Sequence, residues 1–155
     1  MAVSRTMRRL LRVLTLEEEQ RQSALESAVG ELRRFERALD LTAERERAGR
    51  RLLTASAASE GEIIDRVAAL EEMQAAKQRA AALRPWIQEA EEAVAELLDA
   101  YIAKRVERRQ ADTLLESMEA ARTLEDARRS QQSLDDWYLN RQHRKASART
   151  GNAKH

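Results

Sequence analysis

The sequence has no cysteine, one proline, four glycines and five aromatic residues: two Trp, two Tyr and one Phe. The missing cysteines exclude disulfides and thiolate metal sites. With so few aromatics a thick globular core is hard to build, because those side chains carry much of the area that ordinary domains bury. The glycines are isolated and make no phosphate-binding loop. No stretch approaches the roughly 18 apolar residues that span a bilayer. The opening MAVSRTMRRLLRVL has a basic flank but no sustained apolar run of the kind found in secretory signals. These absences lead us to expect a soluble, cytoplasmic protein.

What is present is charge and alanine-rich apolar spacing. Of 155 residues 35% are charged and 43% hydrophobic, and the formal net charge is only +1. Charge this dense with few aromatics belongs to long amphipathic helices or to disorder. The apolar residues are too many and too regularly spaced for disorder, so the fold class expected is all-α with a thin seam between helices. Steps of seven from Leu11 land on Glu18, Leu25, Leu32, Leu39, Glu46 and Leu53, with Ala28, Val29, Phe35 and Ala43 widening the stripe. That is a coiled-coil seam, and it predicts a first helix over about residues 5–54.

The stretch TASAASEGE, residues 54–62, offers no seam, and Ser59 with Glu62 reads as a capping box before Ile63 and Ile64. A turn is expected here, folding a longer second helix, about 62–145, back antiparallel on the first. Ile63, Val67, Leu70 and Met73 form its first predicted stripe. Ile87, Ala90, Val94, Leu97, Tyr101, Ala111, Leu115 and Met118 form the next, and Leu124, Ala127, Gln131, Leu134 and Tyr138 continue it after a stutter. Pro85 predicts a kink or short break, with a turn at Pro85 as the rival hairpin. A flexible basic tail is expected over 146–155, and the whole reads as a single coiled-coil domain.

The charges are segregated. Arg5, Arg8, Arg9 and Arg12 come before any acid, and Arg141, Arg144, Lys145, Arg149 and Lys154 follow the last one. Glu17 to Glu19 and the run Glu89, Glu91, Glu92, Glu96 and Asp99 are acidic. In the hairpin Arg8 is expected near residues 103–110, leaving some 30 residues of the second helix alone. Bases in a last helical turn suit the helix dipole, but Arg5 to Arg12 face it the wrong way. A basic tip that meets an acidic partner accounts for both. Trp137 beside Tyr138 stands at this end, either lying flat on its own helix or acting as an interface hot spot. Trp86 is placed to fill a kink at Pro85. His143 and His155 are too far apart for a metal site, Asp135 and Asp136 point to different sides of a helix, and no Ser, His and Asp grouping emerges. No catalytic, metal or cofactor site is expected.

Two stretches resemble a known family. AKRVERRQADTLLESMEAARTLEDARRSQQSLDDWYLNR, residues 103–141, resembles the C-terminal helix of the flagellar FliJ family and its YscO-type relatives in injectisomes. MRRLLRVLTLEEEQRQSALESAVGELRRFERAL, residues 7–39, is similar to their N-terminal helix. The ending QQSLDDWYLNR carries most of the likeness. The resemblance implies a two-helix antiparallel coiled coil acting as the central stalk of a type III export ATPase hexamer. It also implies contacts with the membrane export gate and with escort chaperones, and Arg5, Arg8, Arg9, Arg12, Trp137, Tyr138, Arg141, Arg144 and Lys145 then face the ATPase ring. No residue-by-residue match fixes a gate contact in 64–83, and Pro85 departs from the continuous second helix of that family. A homodimeric coiled-coil scaffold and a basic nucleic-acid-binding helix are the alternatives, the second disfavoured by the near-neutral balance.

Overall fold

A computed structural model describes residues 2–58 and 63–152. Two helices, α1 (Ala2–Ala58) and α2 (Ile63–Asn152), account for all of them and pack against each other as a helical hairpin. Alanine, leucine, glutamate and arginine, all strong helix formers, dominate both. Helix α1 continues through residues 54–58, which the sequence suggested as turn; the rest of that expected turn, 59–62, lies outside the described residues. The proposed capping box of Ser59 and Glu62 lies outside the described residues. No break occurs at Pro85, which sits inside one continuous helix, and the rival hairpin with a turn there is excluded. Residues 146–152 are helical rather than a loose tail.

The packing divides into two compact units, one of the described residues in 14–106 and one of those in 1–13 with 107–155. In the first, Glu17 pairs with Lys104 at 2.9 Å, the Phe35 and Trp86 rings meet edge-on at 5.8 Å, and Arg66 reaches the Ser56 carbonyl. Partners rise along α1 as they fall along α2, so the pair is antiparallel. Every member of the heptad series from Leu11 to Leu53 is at least half-buried, and a second track three residues on runs through Ala28, Phe35, Thr42, Gly49 and Ser56. Facing it, α2 turns inward Arg66, Ala69, Met73, Ala76, Ala80, Leu83 and Ile87, an unbroken alternation of three and four.

Here the seam differs from the stripe expected of Ile63, Val67 and Leu70. Those side chains are exposed, Ile63 by 76%, while Ala69 and Ala76 are buried at 4% and 2%. The reason is room. Gly49 meets α2 so closely that a methyl placed on it would stand 2.5 Å from the Met73 Cγ. Met73 occupies the room that the missing side chain leaves, and the register that sets it against Gly49 turns Ala69 and Ala76 inward on either side. Thr42 is buried too, and its hydroxyl is satisfied by donating to the Leu39 carbonyl at 2.7 Å.

Arg66 closes the far end of α1. No basic residue lies in the last turn of α1 itself. The Arg66 Nη2 donates to the Ser56 carbonyl at 2.9 Å, bringing a cation from the other helix to unpaired carbonyls at a negative dipole end. Trp86 does not fill a kink: it is exposed and leans on Phe35.

In the second unit Ala111 and Leu115 are buried and Met7, Leu11 and Met118 half-buried. Arg8 donates to Glu119 at 2.7 Å. That corrects the expected neighbourhood of residues 103–110. With α1 running on to Ala58, the partner of Arg8 falls further along α2.

Candidate functional site

Beyond Glu119, helix α2 has no buried or half-buried side chain among the described residues. Every side chain from Ala120 to Gly151 is exposed, a stretch of about 48 Å at 1.5 Å per residue. The stutter expected near 118–124 therefore has no seam to disturb. What holds this stretch helical is local. Glu125 pairs with Arg129 at 2.6 Å and Arg122 approaches Asp126 at 3.9 Å, both four residues apart, each worth a few tenths of a kcal/mol at best on an exposed helix.

The side chains on this free helix are sorted by face. Leu134, Trp137, Tyr138, Arg141, Arg144 and Lys145 follow one another in steps of three and one, which keeps them on one side. Asp136, Leu139 and His143 fall on the other, with Asp135 at the boundary between the two. The Arg141 guanidinium lies over the Trp137 indole, 5.2 Å from the ring centroid, a cation–π stack. One shallow hollow beside it is bounded by Trp137, Asn140 and Arg144, and another by Tyr138, Gln142 and Lys145, with Arg141 on the ridge between them.

Of the two sequence options for Trp137, packing on its own helix is present in part. One ring face is covered by its own helix through Arg141, yet the residue stays 56% exposed, as Tyr138 is by 61%. The stack positions the ring and keeps a cation beside it. Sequence reading named both residues but not their coupling, for which the four-residue spacing was the available signal.

The arginines near the N terminus do not share this face. Arg5, Arg8, Arg9 and Arg12 are exposed on the first turns of α1, and Arg8 is engaged with Glu119. Trp137 lies 18 residues beyond Glu119, about 27 Å of helix. The single basic tip expected from the sequence is therefore two separate clusters within one unit. No group of three or more His, Cys, Asp or Glu residues that could hold a metal ion occurs among the described residues, and no helix is long and apolar enough to cross a membrane.

Known proteins offer no guide. No family model, curated protein or solved structure matches this chain.

Proposed function

We propose that this protein is a non-enzymatic coupling component of a flagellar or type III protein export apparatus. In this reading the free end of α2 enters the export ATPase ring, and the hairpin links that ring to the membrane export gate. It would work in the cytoplasm, associated peripherally with the apparatus at the inner membrane. The observation that carries the reading is the helix beyond Glu119, which buries nothing of itself yet gathers two aromatics and three bases on one face. Trp, Tyr and Arg are the side chains enriched where interfaces hold most of their energy. The resemblance of residues 103–141 to FliJ-type proteins supplies the partner.

Such a helix needs no catalytic group. If its basic, aromatic face binds one conformation of a ring subunit better than another, it shifts the balance between them by that difference in affinity. The seam pairs within one chain across residues 14–106, which weighs against a scaffold whose seam pairs between copies.

The test is to add the purified protein to the cognate export ATPase and follow hexamer formation and ATP turnover. Stimulation that falls with added salt and with Trp137→Ala is expected. An ATPase that neither binds nor responds, together with a silent Trp137→Ala, would sink the proposal.

A further inference from the structure

A groove runs along one flank of the hairpin within residues 14–106, and its charged rim is unpaired. One hollow lies between Leu41 and Arg45 of α1 and Arg79 and Ala82 of α2. Another lies between Leu52 and Ala55 of α1 and Asp65, Ala68 and Glu72 of α2. They are one surface at a heptad displacement. Arg45 and Leu52 are seven residues apart, as are Asp65, Glu72 and Arg79, while Leu41 and Ala55, like Ala68 and Ala82, are two heptads apart. Rows at this spacing keep to one side of a coiled coil. The linking positions, Ala48 and Ala75, are alanine and half-buried, so the floor continues from one hollow to the next.

Positions beside a two-helix seam ordinarily carry long charged side chains that pair across it. Here alanines leave the flank open, and Leu41 and Leu52 stand more than half exposed along it. Arg45 and Arg79 mark one end, Glu72 and Asp65 the other. None of the four makes an ion pair among the described residues, and none has an opposite charge three or four positions away on its own helix. In a chain that is 35% charged, four charges without a local partner around one apolar groove make a pattern.

We propose that this groove receives an amphipathic α-helix from a partner protein, completing a three-helix coiled coil. The partner's acidic side chains would lie over Arg45 and Arg79, its basic ones over Asp65 and Glu72, and aliphatic residues between Leu41 and Leu52. A helix fits because the floor is alanine, which admits the interaxial distances of about 8–10 Å at which helices pack. The free helix of a second copy fits less well. Its apolar side chains Leu134, Trp137 and Tyr138 share their face with Arg141, Arg144 and Lys145, while the only acids of residues 127–145, Asp135 and Asp136, lie off that face, so Arg45 and Arg79 would go unmatched in either direction. The inference does not depend on the export reading.

Trp86 provides the reporter, since it lies one heptad beyond Arg79 and is exposed. In full-length protein carrying Trp137→Phe, its emission is followed as a synthetic helical peptide of roughly three heptads is added. One peptide has aliphatic residues on one face, a Glu pair at one end and a Lys pair at the other; two controls carry Lys, or Glu, at both ends. The mixed peptide should shift Trp86 emission to the blue and bind at least about tenfold more tightly than either control, because like charges over either end are penalised. Arg45→Glu with Arg79→Glu should transfer the preference to the all-Lys peptide. Ala82→Arg, at an exposed position outside the seam, should abolish binding with helix content by circular dichroism unchanged. The proposal is overturned if no peptide binds below millimolar concentration or if all three bind alike. It is equally overturned if sedimentation shows a dimer that Ala82→Arg dissociates, which would make a second copy the occupant.

Discussion

An alanine methyl built at Gly30 meets nothing within 4 Å, whereas one at Gly49 would stand 2.5 Å from the Met73 Cγ and 3.3 Å from the Ala69 carbonyl oxygen. The same substitution should therefore act with opposite sign. Gly30→Ala should raise stability to urea by roughly 0.5–1 kcal/mol, the helix-propensity gain alone. Gly49→Ala makes the same gain but overpacks a contact at about 1–3 kcal/mol, so a net loss is expected. Arg66 adds a third residue-scale case. It holds a carbonyl at the end of α1, while its Nε is buried with no partner. Arg66→Ala should cost about 1–3 kcal/mol through the lost charged hydrogen bond, measured by the same denaturation. Trp137→Ala should do the reverse of a core mutation. It should leave the melting temperature nearly unchanged but weaken binding to an ATPase ring by about 30-fold, the 2 kcal/mol of an aromatic hot spot.

At the scale of the element, α2 is two kinds of helix in one. Up to Glu119 it contributes one half of a seam; beyond, its side chains are exposed and i,i+4 pairs such as Glu125 with Arg129 support it. Amides of residues 120–151 should exchange with deuterium far faster than those around Ala76 or Leu115, because most helix stability in proteins comes from packing that this exposed stretch lacks. A bound partner should slow the exchange of 130–146 selectively. The seam of α1 was legible because its leucines repeat every seven residues, and so was α2 from Ile87 to Met118. The first turns of α2 were not. There periodicity favoured Ile63, Val67 and Leu70, and nothing in one helix's sequence reveals that Gly49 on the other takes Met73 and so turns Ala69 and Ala76 inward. The candidate face was half legible: Trp137 and Tyr138 were conspicuous beside five bases, but the separation of Arg5 to Arg12 from them depends on where the turn falls.

For the whole molecule, the decisive quantity is how little is hidden. Its surface is 12739 Å², against about 8000 Å² for a compact monomer of this mass by the usual scaling. Only Leu14, Ala69, Ala76, Ala111 and Leu115 form a buried apolar core among the described residues. Since the urea m-value follows the surface exposed on unfolding, it should be roughly a quarter lower than for a globular domain of equal length. Equilibrium urea titration checks this. So shallow a seam raises the problem of slippage, because an antiparallel pair with a heptad repeat can slide by seven residues and still match leucine rows. Gly49 answers it. Moved one heptad either way, Met73 would face Thr42 or Ser56 instead of the glycine, and the side chain that now fits the gap would collide. A single missing methyl group thus works as an indexing notch, setting which residues of the two helices stand opposite each other within 14–106.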